Sequence, residues 1–317
     1  MPAATPVSVE GRRIEDIDAM AAAAVDGLTS EYLQLVARPF TGRWTIVRTS
    51  HLSIQIGCED IAVVRRLGIP SNRAALIVPL SVPDSARWNA CVIRPQDVLV
   101  CLPGAECYAF DPGGTSFAVI SVESRSPVAR RVRLLAAEAA PSGVATLRPE
   151  DACALRRELQ AVGAASRAAR TGILKVLQLS LARAVPRPRQ IESAPGRSQI
   201  VRRAEEFFKH HVGEPVSIAR LSSVAGVSER SLRNAFYDMY TTSPKRYLRL
   251  WQLHQVRRAL RSVRSDENTV TDVATLHGFY ELGRFAGEYK ALFGEAPSHT
   301  LQKARTHKNI PSQAGAA

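Results

Sequence analysis

The chain has 317 residues, 45% of them hydrophobic and 22% charged, a globular composition that excludes disordered and collagen-like chains and suits about two domains. Forty-two Lys and Arg against 29 Asp and Glu leave a formal net charge of +13, which favours a polyanionic partner such as nucleic acid or an anionic membrane surface. The five cysteines (Cys58, Cys91, Cys101, Cys107, Cys153) are odd in number and form no C-x-x-C pair. Neither a disulfide framework nor a zinc site is therefore expected; they read as buried small hydrophobes in a reducing, cytoplasmic setting.

The opening MPAATPVSVEGRRIEDIDAM lacks a basic stretch followed by an apolar one, so no leader is expected. Apolar runs elsewhere, such as Ala74 to Leu80, are less than half of the roughly 20 residues a membrane helix needs. From Trp44 to Val122 short β-branched runs alternate with turn residues: WTIVRTSHLSIQIG, AALIVPLSV, CVIRPQDVLVCLPG and SFAVISV. This pattern predicts a small antiparallel sandwich or barrel whose mouth holds a small molecule. Within it Leu52, Ile54 and Ile56 alternate, which predicts a half-buried strand. The stretch Leu99 to Gly114 offers Glu106, Tyr108 and Asp111 as polar candidates for an effector site, the alternative being an ordinary loop between strands. His51 stands alone in this region and no H-x-H pair occurs, so no metal site is expected.

After Val122 the composition shifts towards Ala, Arg and Leu. Pro149 to Leu159 reads as a helix start with Glu150 and Asp151 in its first turn, where they complement the helix dipole. A second helix is expected over Ala169 to Ala184, with Ile173, Leu174, Leu177 and Leu181 on one face. Residues 1–184 thus form an expected effector-binding and dimerisation domain, strand-rich over 44–122 and helical over 150–184. Val185 to Arg197, with three prolines and a glycine, reads as the linker.

Past the linker the chain is helical, and residues 196–310 hold 19 Lys and Arg against 11 Asp and Glu. In Val216 to Leu248, Ile218, Leu221 and Val224 predict one apolar helix face. Gly226 suits a left-handed helix end, Ser228 can cap the next helix, and Leu232, Ala235 and Phe236 face inward on it. A helix, a glycine turn and a capped helix make a helix-turn-helix. The pattern recurs at Val270 to Leu301, where Ala274 and Gly278 match Ser222 and Gly226, and Phe285, Tyr289 and Phe293 supply the inward face. From turn glycine to closing proline the interval is 18 residues in the first copy (Gly226 to Pro244) and 19 in the second (Gly278 to Pro297). A long helix between them over Pro244 to Val263 carries Tyr247, Leu250, Leu253, Val256 and Leu260. Two heads reading one face of B-DNA must sit roughly 34 Å apart. Arg257, Arg258, Arg261 and Arg264 read either as a solvated helix face or as phosphate contacts.

On these residues, above all GFYELGRFAGEYKALFGEAPS (Gly278 to Ser298), the segment of about 198–305 resembles the DNA-binding domain of the AraC/XylS family of bacterial transcription regulators. The resemblance covers about a third of the chain, and residues 306–317 form a tail. It implies an α+β two-domain fold: an N-terminal cupin-like β-barrel or sandwich with helices, and a C-terminal all-α domain with two helix-turn-helix units joined by a long helix. The opening IEDIDAMAAAAVDGLTSEYLQL and the run YTTSPKRYL are similar to the ethanolamine-operon regulators, which implies a small amine and cobalamin as co-effectors, though no residue identifies either.

Carried over residue by residue, the family's base-facing positions fall on Arg230, Arg233 and Asn234 of the first recognition helix. In the second they fall on Leu282, Gly283, Ala286 and Gly287, which offer no side-chain hydrogen bond. The second helix is therefore expected to dock through backbone and shape, with Ser228, Lys245, Arg284 and Lys290 as phosphate or docking contacts. Two residues depart from the family pattern: Thr241 replaces a glycine and Ser222 a small alanine, and both are expected to loosen the first unit. The resulting expectation is a cytoplasmic, ligand-responsive transcriptional activator, not an enzyme, acting as a homodimer on promoter DNA with RNA polymerase as partner. Its small-molecule effector is unidentified and no cofactor motif is evident. The alternatives are a cupin-like enzyme tethered to DNA and a ligand-independent repressor or architectural protein.

Overall fold

The computed structural model describes residues 8–24, 26–49, 52–139, 142–165, 175–177, 179–181, 183–187, 196–262 and 268–308. The chain divides into two compact units. One takes the chain up to Tyr32, then Phe40–Gln199 and the short piece Tyr237–Thr241; the other takes Leu33–Pro39, Ile200–Phe236 and the chain from Thr242.

The first unit is a two-sheet β structure. Its strands are β1 (Ser8–Ile14), β2 (Thr29–Gln34), β3 (Gly42–Arg48), β4 (Leu52–Glu59), β5 (Ala62–Gly68), β6 (Arg73–Ser81), β7 (Arg87–Trp88), β8 (Cys91–Val92), β9 (Asp97–Cys101), β10 (Glu106–Pro112), β11 (Thr115–Glu123), β12 (Val144–Leu147) and β13 (Pro186–Arg187). Among the described residues they are accompanied by the helices α1 (Ile17–Ala22), α2 (Pro127–Ala139) and α3 (Pro149–Ala164). Asp16 starts α1 by accepting hydrogen bonds from the backbone N–H of Asp18 and Ala19, as an N-cap side chain should. One sheet runs β1-β3-β4-β11-β6-β9-β12-β13 and the other β2-β5-β10-β7-β8. Neither sheet closes on itself, so of the expected barrel or sandwich the closed barrel is not formed and the strands make two open sheets. The antiparallel pairing is as expected, with Ile54 opposite Ile120 and Ala118 opposite Val78.

Strands also lie outside 44–122. The sequence hides β1 because it is an edge strand with a mostly exposed, polar run, where no alternation develops. The predicted half-buried strand over His51 to Ile56 also needs correction: β4 is buried on both faces, and His51 lies outside the described residues. Leu52 and Ile54 join a core with Ala118 and Ile120 of β11, Leu135 of α2, and Leu155, Leu159 and Val162 of α3. On the other face of β4, Ser53 and Gln55 are also buried, and Gln55 lines a small cavity with Trp44, Arg65 and Phe117. Leu177 and Leu181 of the second predicted helix belong to the helix-covered core, whereas Ile173 and Leu174 fall outside the described residues. The start of the predicted linker is ordered, since Pro186 and Arg187 pair with Leu147 and Thr146.

Between the two sheets lies a buried charge cluster. Arg65 Nη1 sits 3.3 Å from Glu59 and Nη2 3.1 Å from Asp111, with the guanidinium 3.6 Å above the Phe117 ring. Burial pushes the Glu59 carboxyl up to about 8; the Arg65 charge opposes that rise and Asp111 adds to it. Cys101 and Cys107 are joined by a disulfide, which corrects the reading of all five cysteines as unpaired. They come together because β9 and β10 lie in different sheets and are linked by a short turn, a proximity that spacing arithmetic does not reveal. Cys91 is buried, Cys58 half-buried and Cys153 exposed.

The second unit is helical: α4 (Gly196–His210), α5 (Ile218–Ala225), α6 (Glu229–Tyr240), α7 (Pro244–Ser262), α8 (Val270–Leu276), α9 (Leu282–Phe293) and α10 (Pro297–Lys308). Its core joins Phe208, Phe236, Tyr247, Val256, Phe285 and Tyr289. The Phe236 and Tyr247 rings meet edge to face at 5.3 Å, and the Tyr247 hydroxyl donates to Glu205 at 2.6 Å. That bond satisfies both polar groups inside an apolar setting, where an unmade one would cost about 1 to 3 kcal/mol.

Candidate nucleic-acid interface

The first helix pair is α5 and α6. Ser217 caps α5 by accepting from the Arg220 N–H at 3.1 Å, and Gly226 ends it at φ 70°, a left-handed C-terminus that glycine adopts without a Cβ penalty. The buried face of α5 is Leu221, Ser222 and Ala225. Val224, predicted to face inward, is 43% exposed, because Ser222 turns inward and donates its hydroxyl to the Ala219 carbonyl at 2.9 Å. The replacement of a small alanine by serine is thereby accommodated. Ser228 lies at the start of α6 and accepts from the Ser231 N–H at 3.1 Å, so it is a cap in the free protein.

Leu232, Ala235 and Phe236 fill the inner face of α6, leaving Arg230, Arg233 and Asn234 in solvent on its first two turns. The three predicted base-reading residues thus share one accessible surface. Arg233 is ion-paired at 2.6 Å with Glu229 one turn earlier, an exposed pair worth about 0.3 to 0.5 kcal/mol, so little energy holds it back from DNA. The helix ends at Thr241, which has φ 52°. Gly294 takes the same place after α9 at φ 75°. The substitution at 241 therefore sets a β-branched residue in the left-handed region where its counterpart is glycine, a real conformational cost.

In the second pair, α8 begins with a reciprocal capping box between Thr269 and Asp272. The α9 helix has the same twelve-residue length as α6. The extra residue of the second copy lies in the turn, between Gly278 and Leu282. Phe285, Tyr289 and Phe293 face inward, with successive ring centroids 5.7 and 4.7 Å apart. Leu282, Gly283, Ala286 and Gly287 are all exposed, and a Cβ added at either glycine would meet nothing within 4 Å. This face is smooth and carries no side-chain hydrogen-bonding group. Arg284 and Lys290 are also exposed. Arg284 Nε lies 2.9 Å from Glu288, which also pairs with Arg249 at 2.6 Å. Burial opposes ionisation of Glu288, but the hydrogen bonds from Arg249 and Arg284 prevail and hold its pKa below the usual carboxylate value.

The connecting helix α7 presents Tyr247, Leu250, Leu253, Val256 and Leu260 to the core, as their spacing predicts, and Lys245 to solvent. Arg257 differs from both of its readings. It is 7% exposed, lies 4.6 Å over the Phe293 ring and pairs with Glu295 at 3.8 Å, so it is a packing residue. Arg258 is half-buried and Arg261 exposed, while Arg264 lies outside the described residues.

Sequence reasoning missed the part that Leu33–Pro39 plays in this unit. Gln34 is 2% exposed; its N–H donates to His254 Nε2 at 3.0 Å and its Nε2 to the Leu292 carbonyl at 2.8 Å. Arg246 Nη2 donates to the Leu35 carbonyl at 3.1 Å. No local signal marks a lone glutamine as a tertiary anchor. Of the effector candidates in the first unit, Glu106 and Tyr108 come together and Asp111 lies apart from them. Glu106 accepts from the Tyr108 hydroxyl at 3.0 Å and pairs with Arg66, whereas Asp111 belongs to the buried Arg65 cluster. Among the described residues no group of three or more His, Cys, Asp and Glu is placed to hold a metal ion, and no helix is long and apolar enough to cross a membrane.

A family model described as a helix-turn-helix domain matches residues 221–303. The chain is 36% identical over 116 residues to the probable thc operon regulatory protein of Rhodococcus erythropolis, covering 37% of this chain and 35% of that one. It is 36% identical over 103 residues to the XylDLEGF operon transcriptional activator of Pseudomonas putida, covering 32% of each. The chain thus spans about a third of the length of these curated relatives. Among solved structures, a probable AraC family transcriptional regulator from Rhodopseudomonas palustris CGA009 is 34% identical, with 33% of this chain and 96% of that one covered and a TM-score of 0.31. Residues 221–303 thus form a helix-turn-helix domain similar to those of AraC-type DNA-binding transcriptional regulators.

Proposed function

We propose that the chain is a sequence-specific, ligand-responsive activator of a metabolic operon, acting in the cytoplasm by binding rather than by catalysis. The observation that carries this reading is the joint exposure of Arg230, Arg233 and Asn234 on the first turns of α6, where a recognition helix meets base edges. Arginine suits guanine O6 and N7, and asparagine suits adenine N6 and N7. The second head docks by backbone and shape, with Arg284, Lys290 and Lys245 against phosphates. The first unit takes a small-molecule effector, and the outer surfaces of the helices over 150–184 pair two chains. Val176 and Leu179, both exposed, support that dimer. RNA polymerase is the partner of the DNA-bound form.

The test is a fluorescence-anisotropy titration of the full chain against its own upstream promoter and a scrambled duplex, at several salt concentrations, with and without candidate effectors. A promoter preference of about a thousandfold is expected for a specific regulator. Equal, steeply salt-dependent binding to both duplexes would reduce the protein to a non-specific DNA tether.

A further inference from the structure

We propose that Tyr280, in the turn between α8 and α9, is a DNA-contacting residue of the second head, packing its ring against the sugar-phosphate backbone and donating its hydroxyl to a phosphate. This inference rests on the reading of the second unit as a DNA-binding domain and adds to it a contact that the recognition helix itself does not supply.

Three observations converge on Tyr280. First, with Leu276 it is the most exposed of the large apolar side chains among the described residues, at 70%, although its neighbour Phe279 is buried and tilts against Phe285 at 4.8 Å. Second, it occupies the stretch that is one residue longer in the second head. In the first head Ser228 caps the recognition helix, whereas at the corresponding place Glu281 makes no side-chain cap. The longer turn therefore carries an outward aromatic two residues before Leu282, beside the end of α9 that a recognition helix directs at DNA.

Third, Tyr280 lines a groove of about 650 Å³ together with Ser217, Lys245, Arg249 and Arg284. The carboxylates of this groove are engaged: Glu288 with Arg249 and Arg284, Glu281 with Arg284, and Glu214 with Arg220. Lys245 remains exposed on the same surface, a setting that suits a polyanion. A tyrosine fits the edge of such a groove because its apolar face lies against sugar while its hydroxyl reaches a phosphate oxygen. A neutral contact of this kind adds affinity without sequence preference and without releasing a counterion.

The experiment compares Tyr280→Ala, Tyr280→Phe and Arg233→Ala with the unaltered full chain, by anisotropy against promoter and scrambled duplexes over a salt series. Tyr280→Ala is expected to weaken both duplexes about tenfold and Tyr280→Phe about threefold, in line with the loss of one contact and of one hydrogen bond. The salt slope should be unchanged in both, and thermal melting should match the parent because the side chain is mostly in solvent. If the parent binds DNA and Arg233→Ala weakens it while Tyr280→Ala does not, this inference fails alone. If Tyr280→Ala lowers the melting temperature in proportion to its affinity loss, the residue is structural and the inference also fails. A parent that binds neither duplex overturns the DNA-binding reading itself, and the tyrosine contact with it.

Discussion

Gly213, in the stretch before α5, and Gly278, in the turn after α8, bring the backbones of the two heads into direct contact. A Cβ on Gly213 would stand 2.3 Å from the Leu276 carbonyl oxygen, and one on Gly278 would stand 3.2 Å from the Gly213 carbonyl oxygen. Both glycines are left-handed, at φ 84° and 83°. The spacing of the heads is therefore set by this close approach as well as by the helix α7.

Gly213→Ala should accordingly cost about 1 to 3 kcal/mol of stability, from left-handed strain together with the backbone clash. The variant should also lose more affinity for a duplex carrying both half-sites than for one carrying the first alone. Urea melts and anisotropy on the two duplexes check both expectations; an unchanged ratio between the duplexes would mean that α7 alone sets the spacing.

Thr241→Gly is expected to stabilise the protein by about 1 kcal/mol, since it removes a β-branched residue from a left-handed position. Its gain is limited by the greater freedom of glycine in the unfolded chain. Chemical denaturation of parent and variant decides the sign, and a destabilised variant would mean that Thr241 contributes a packing interaction larger than its backbone strain.

The two heads should respond differently to loss of an arginine. Arg233→Ala should cost about 1 to 3 kcal/mol on the promoter and relax specificity at one base pair, whereas Arg284→Ala should weaken all duplexes alike and reduce the salt slope by about one. Equal effects on promoter and scrambled DNA from both variants would remove the proposed division of labour.

The buried Glu59 predicts a pH dependence in the first unit. Its folded pKa, pushed up to about 8, stands above its ordinary 4.5, so its contribution is fully present below the lower value and lost as pH rises through the upper one. The melting temperature of the parent should thus fall relative to that of Glu59→Gln between pH 4.5 and 8. Parallel curves for the two proteins across that window would show that Glu59 is ionised throughout.

Much of the helical unit was legible in the sequence because its signals are local. Gly226 and Gly278, Ser228, and the spacing of Leu232 to Phe236 and of Phe285 to Phe293 depend on steric and hydrogen-bonding rules that act within a turn or two. The exposed residues Arg230, Arg233 and Asn234 follow from that phase by default. Val224 and Arg257 escaped the same logic, because a serine can turn inward by bonding its own helix and an arginine can be buried if an aromatic ring and a carboxylate receive it.

What only the tertiary structure decided lies between segments distant in sequence. The pairing of Cys101 with Cys107, the inward face of β4 with Gln55, the Glu59–Arg65–Asp111 cluster and the anchoring of Gln34 on His254 and Leu292 each depend on which strands and helices become neighbours. Alternation and helical periodicity tell which side of an element is buried, but not what chemistry waits on that side. A buried polar group is tolerated only when its partner arrives from elsewhere in the fold, and for that reason these residues carried no mark in the one-dimensional chain.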